Sequence, residues 1–171
     1  MDLKNLIRDV HDFPKEGIVF KDITTVLQDP EGLRESVDQM QAALDGVEFD
    51  YVVGPESRGF IYGVPIAYNM RKGFIPVRKA GKLPFTTKAK TYDLEYGTAT
   101  IEMHIDSIKP GDKVVIVDDL LATGGTSEAM VHLIEELGGI VVKMVFLIEL
   151  SFLPGASRLK DYDVEAIIKY D

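Results

Sequence analysis

An α/β fold, with a mostly parallel central sheet and helices on both of its faces, follows from three features of this 171-residue sequence. Short β-branched runs alternate with segments of helical apolar period, the order expected of strand–helix–strand units. The run Val114–Val117 is uninterrupted rather than alternating, which suits a parallel strand covered on both sides. Turns rich in glycine, proline and acidic residues follow the apolar runs, at the strand ends where open parallel sheets bind ligands.

Taken in chain order, Leu3, Leu6, Ile7 and Val10 fall at helical spacing and predict a short helix ending before Pro14. Gly17–Thr25 has no period and reads as an ordered loop. Asp29 and Pro30 form a cap and first-turn pair for a helix that carries Leu33, Val37, Met40 and Leu44 on one face. Tyr51–Val53 is the first buried strand, Gly54–Gly59 a turn, and Phe60, Ile61, Val64, Ala67 and Met70 mark the next helix. A strand follows at Phe74–Val77. Lys79–Tyr92, with Gly81, Pro84 and several lysines and threonines, has the composition of a mobile loop. Ala99, Ile101, Met103 and Ile105 then alternate with polar residues, the period of a half-exposed strand. Pro110 and Gly111 turn into the Val114 strand, and a helix spans 127–137, with Ala129, Met130, Leu133, Ile134 and Leu137 on one face. Gly138 and Gly139 end it, Ile140–Leu150 is another strand, and Ala166–Ile168 closes the sheet. With no repeat, linker or low-complexity tract, the expectation is a single domain over 1–171.

Hydrophobic residues make up 46% of the chain and charged residues 27%, an ordinary globular balance. The net charge of -9 argues against a general nucleic-acid partner, which needs clustered Lys and Arg. The absence of cysteine excludes disulfides and thiolate chemistry and favours a reducing compartment. Charges scattered through the first ten residues leave no signal-peptide core, and the longest apolar stretch, Ile140–Leu150, is broken by Lys143 and Glu149. A cytoplasmic protein with no membrane partner is expected.

The segment Val114–Met130, VVIVDDLLATGGTSEAM, carries the chemistry. Asp118 and Asp119 mark where the strand leaves the core. Ala122, Thr123, Gly124, Gly125 and Thr126 combine small side chains, φ-permissive glycines and hydroxyls, so backbone N–H groups can converge on one anion at a helix N-terminus. No Gly-Lys-Ser/Thr ending is present, which excludes the ATP-type loop. The acids precede the glycines, which excludes the dinucleotide fingerprint. Two carboxylates followed at once by a phosphate cradle suit a ligand whose ribose hydroxyls and 5′-phosphate are bound together. Because adjacent strand residues alternate in direction, the two acids are not expected to grip one metal jointly. The turn at Ser57 and Arg58 sits at the same predicted sheet edge and offers a hydroxyl and a forked cation to phosphate oxygens. Arg78, Lys79 and Lys82 cluster where the Phe74 strand ends, so a basic loop there could close over a polyphosphate.

The motif VVIVDDLLATGGT resembles the phosphoribosyl pyrophosphate signature of type I phosphoribosyltransferases. The likeness extends through GIVFKDIT, GPESRGF, VRKAGKLP, LEYG and IIKY, in order and over essentially the whole chain. It implies that family's fold, with residues 1–30 contributing a small hood and 82–96 forming a flexible flap that includes Tyr96. The implied reaction moves the 5-phosphoribosyl group from phosphoribosyl pyrophosphate to adenine, giving AMP and pyrophosphate in purine salvage. In this pattern Asp118, Asp119 and Ala122–Thr126 hold ribose and 5′-phosphate, while Ser57, Arg58, Arg78, Lys79 and Lys82 hold pyrophosphate. Val19, Phe20, Lys21, Arg58 and Leu120 surround adenine, with Phe20 as stacking platform. Glu95 is the implied acid–base residue, since adenine sheds an imidazole proton as the glycosidic bond forms. A cis Glu56–Ser57 bond, Mg²⁺ carried by the polyphosphate and water, and a homodimer are also implied. Two alternatives stay open: another purine as acceptor, and a phosphoribosyl pyrophosphate sensor.

Overall fold

The computed structural model describes residues 1–94 and 96–171. A 3₁₀ turn, Leu3–Leu6, leads into β1 (Arg8–His11), which pairs antiparallel with β2 (Val19–Asp22) as a two-stranded ribbon. The predicted N-terminal helix therefore stops after one turn, and the Gly17–Thr25 loop contains a four-residue strand and runs into a helix at Thr24. A short helix must meet its nucleation cost from tertiary packing. Here Arg8–His11 instead satisfies its backbone against Val19–Asp22, across a turn containing Asp12 at φ 57° and a cis Phe13–Pro14 bond.

Helix α1 (Thr24–Gln28) and helix α2 (Pro30–Ala42) follow. The Asp29 carboxylate caps α2, accepting the N–H groups of Glu31 and Gly32, each at 2.9 Å. Next come β3 (Tyr51–Pro55), α3 (Arg58–Met70), β4 (Gly73–Lys79), β5 (Thr87–Asp93), β6 (Thr98–His104), β7 (Lys113–Leu121), α4 (Gly125–Glu136), β8 (Ile140–Leu150), α5 (Gly155–Arg158) and β9 (Val164–Tyr170). The sheet order is β5-β6-β4-β3-β7-β8-β9. Strands β4, β3, β7, β8 and β9 are parallel, and β6 and β5 extend one edge antiparallel.

Two cores sandwich this sheet, and the pleat explains the division. Val115 and Val117 face α2 and α3 together with Val37, Met40, Tyr62 and Ile66; Val114 and Ile116 face α4 with Met130, Leu133 and Ile134. Two expectations need correction. The Lys79–Tyr92 segment is not loop throughout: from Thr87 onward it pairs with β6 through the register Thr87↔His104 to Asp93↔Thr98. β7 does not leave the core at Asp118 but runs on to Leu121, with Asp119 6% and Leu121 1% exposed.

Candidate active site

The C-terminal ends of β3 and β7 open onto a cleft of about 400 Å³ lined by Pro55–Arg58, Lys79 and the continuous stretch Asp118–Ser127. Its floor forms where β7 gives way to α4. Gly124 caps that helix at φ 83°, in left-handed space, and a Cβ there would lie 3.0 Å from Gly155 Cα. Gly155 N–H donates to the Ala122 carbonyl at 3.0 Å, so the loop is braced from behind by the first turn of α5. The first N–H groups of α4 are thus left facing a small-residue turn, an arrangement fit for an anion.

Asp119 is buried because its charge is answered: Arg58 Nε donates to Asp119 Oδ2 at 2.6 Å. Asp118 Oδ1 accepts the Asp119 N–H at 2.8 Å and would be 3.1 Å from a Cβ on Gly59. The missing side chain at Gly59 is what lets the Asp118 carboxylate come against the first turn of α3. Burial, and then the neighbouring Asp119 carboxylate, push the Asp118 carboxyl well above the ordinary carboxylate range. Alternation would send these two side chains apart, yet both carboxylates reach the residues at the start of α3.

Glu56, whose side chain has no role legible in its local sequence, organises the opposite wall. Its Oε1 accepts the Lys79 N–H at 2.8 Å and Arg78 Nε at 3.3 Å, and its Oε2 accepts Lys82 Nζ at 3.1 Å. Burial alone would raise the Glu56 carboxyl, but these donors together hold it below the ordinary range. The Glu56–Ser57 peptide is cis. A second cavity, about 610 Å³, adjoins the first through Pro55, Glu56, Lys79 and Thr126 and is walled by Arg78, Tyr92, Leu94 and Thr98–Ile101.

The N-terminal ribbon meets this cleft at Phe20. The Phe20 ring, half-buried and edge-on to Phe13 at 5.2 Å, has the Arg58 guanidinium over its face at 5.7 Å. Val19 is exposed, and the Lys21 side chain turns away, pairing with Asp9 at 2.7 Å and lying 4.2 Å from the Tyr170 ring. Leu120 lines the cleft, and Thr123 is exposed in its mouth. Tyr96 is exposed, its ring under Lys15 Nζ at 4.0 Å. Glu95 lies outside the described residues. Tyr92, to which the sequence assigns no site role, joins its hydroxyl to that of Thr126 at 2.9 Å. Adjacent glycines and acids signal a loop locally, whereas Glu56 and Tyr92 act on residues 22 to 34 positions away and leave no local pattern.

A small-residue loop at a helix N-terminus, beside two acids on the C-terminal edge of a doubly covered parallel sheet, has the form of an anion site, and the sequence profile described as "Phosphoribosyl transferase domain" matches residues 23–169. The chain belongs to the phosphoribosyltransferase family and has its type I fold. It is 64% identical over 168 residues to the adenine phosphoribosyltransferase of Lachnoclostridium phytofermentans, covering 98% of this chain and 97% of that one. The crystal structure of adenine phosphoribosyltransferase from Thermoanaerobacter pseudethanolicus is similar with TM-score 0.96 and 51% identity, covering 99% and 98% of the two chains. The Saccharomyces cerevisiae enzyme, complexed with an imino-altritol bisphosphate and adenine, is similar with TM-score 0.90 and 38% identity over 97% and 96%.

Proposed function

We infer that this chain is an adenine phosphoribosyltransferase: it moves the 5-phosphoribosyl group of phosphoribosyl pyrophosphate to adenine, releasing pyrophosphate and forming AMP. The observation that carries this reading is the position of Arg58. One guanidinium is bonded to Asp119 of the sugar-phosphate cradle and laid over the Phe20 ring of the ribbon. A single side chain thereby joins the ring proposed as base platform to the acid proposed for the sugar, which supports the positioning on which such a transfer depends.

In the reaction the anomeric carbon loses its bond to pyrophosphate oxygen and gains one to the adenine imidazole nitrogen, whose proton leaves. Positive charge develops on the sugar, as in glycoside hydrolysis. Asp118 and Asp119 accept from the ribose hydroxyls and face that charge. Ala122–Thr126 hold the 5′-phosphate. Ser57, Arg58, Arg78, Lys79 and Lys82 take the pyrophosphate, stabilising the charge it carries away. Val19, Phe20, Lys21, Arg58 and Leu120 surround the base; with the Lys21 side chain on Asp9, its backbone is the part left for adenine. Glu95 takes the imidazole proton, the residues near 82–96 with Tyr96 close as a flap, and residues 1–30 serve as hood. Among the described residues no cluster of three or more acidic or histidine side chains could cage a metal, and Asp119 is engaged by Arg58, so Mg²⁺ would be held chiefly by phosphate oxygens and water. When bound, it neutralises polyphosphate charge.

A homodimer is supported by α3, whose outer face carries Ile61, Val64 and Tyr68 at 37%, 47% and 82% exposure. No helix among the described residues is long and apolar enough to cross a membrane. A cytoplasmic setting fits the cysteine-free composition.

The test is AMP formation from adenine and phosphoribosyl pyrophosphate with hypoxanthine and guanine as competitors. Adenine should be consumed alone from the mixture. Preferential use of either competitor, or no transfer to any of the three, would overturn the reading.

A further inference from the structure

Thr126 stands in the second position of α4 and Tyr92 near the end of β5, and their hydroxyl oxygens are 2.9 Å apart. The Tyr92 ring also closes the outer side of the loop, where a Cβ on Gly125 would lie 3.4 Å from Tyr92 Cδ2. The same ring is half-buried and packed on the α4 core. A threonine hydroxyl has one proton and two lone pairs, and a phosphate oxygen only accepts. If Thr126 gives its proton to the 5′-phosphate, only its lone pairs remain toward β5. Tyr92 must then be the donor of their shared bond.

We propose that Tyr92 is a positioning residue for the phosphate loop, donating its hydroxyl proton to Thr126 so that the Thr126 O–H is aimed at the 5′-phosphate of the sugar substrate. This rests on Ala122–Thr126 being the 5′-phosphate site. The geometry gives Tyr92 two separable tasks: its ring covers Gly125, and its hydroxyl fixes which way Thr126 points. Because Tyr92 sits within the proposed 82–96 flap, the same bond ties that segment to the proposed phosphate loop.

The experiment is a calorimetric titration of the full chain with ribose 5-phosphate, comparing wild type, Tyr92→Phe, Thr126→Val and the double variant. Tyr92→Phe keeps the ring over Gly125 and removes only the proton. Loss of one neutral hydrogen bond predicts an affinity about fivefold weaker. Loss of the Thr126 bond to a charged phosphate predicts a drop of about tenfold or more. The double variant should bind no worse than Thr126→Val, because without the threonine hydroxyl the tyrosine has nothing to orient. In steady-state kinetics Tyr92→Phe should raise KM for phosphoribosyl pyrophosphate and leave KM for adenine unchanged, a split that a general loosening of the fold would not produce. If the two substitutions multiply in the double variant, Tyr92 does not act through Thr126 and the proposal fails. Weakened binding in Thr126→Val with none in Tyr92→Phe also refutes it, while leaving the phosphate site intact. Unchanged affinity in every variant would instead remove Thr126 from the phosphate site and overturn the functional assignment of the loop.

Discussion

Adjacent Asp118 and Asp119 differ in how their charges are met. Asp119 has the Arg58 guanidinium at 2.6 Å, whereas Asp118 has a backbone N–H and its neighbour's negative charge. A carboxyl whose folded-state pKa is raised contributes stability that is whole below the ordinary carboxylate value and is lost as pH rises through the raised one. Asp118→Asn, which cannot ionise, should therefore raise Tm at neutral pH and lower turnover, and the Tm gap should close as both proteins are melted at progressively lower pH. A gap independent of pH would contradict the assigned cause. For Glu95 the expectation comes from proton chemistry and the family pattern. Glu95→Gln should lower kcat by about 10²- to 10⁴-fold while both substrates still bind. A loss confined to KM would assign it to holding substrate instead.

Among the elements, the loop into α4 has the narrowest tolerance, because Gly124 combines a left-handed backbone with close approach to Gly155. An alanine there is strained by about 1–2 kcal/mol. Gly124→Ala should lower Tm, and because a displacement of roughly 1 Å can cost about 10²-fold, it should impair use of phosphoribosyl pyrophosphate far more than adenine binding. Saturation kinetics in each substrate would measure the difference. This loop was legible in the sequence, as were α2, β7 and β8, because each carries its own local signature: a cap, a β-branched run, paired glycines. β8 spans Ile140–Leu150 in the structure, the span its apolar run predicts. β1, β2 and β5 were not legible. Each is polar or short and is made a strand by its partner's hydrogen bonds, which local pattern does not encode. Glu56 was missed for a related reason, since an acid in a turn looks solvated until the chain brings Arg78 and Lys82 to it.

At the scale of the whole molecule, the outer face of α3 is apolar on a chain of net charge -9, although its other face already packs into the core. On the proposed dimer a second copy covers Ile61, Val64 and Tyr68. Val64→Asp should convert a dimer to a monomer in sedimentation, and an unchanged sedimentation coefficient would move the interface elsewhere. The arrangement of charge over the cleft has a consequence for how the substrate enters. Arg78 and Lys82 already share an internal counter-ion in Glu56. On the proposed reading, an arriving polyphosphate exchanges one anion for another rather than drawing together cations that repel. The resting cleft then presents less positive charge to solvent than its lysines and arginines suggest. Capture of phosphoribosyl pyrophosphate should accordingly fall less steeply with ionic strength than it would for the same cations unpaired, and replacing Glu56 with Gln should make that salt dependence steeper.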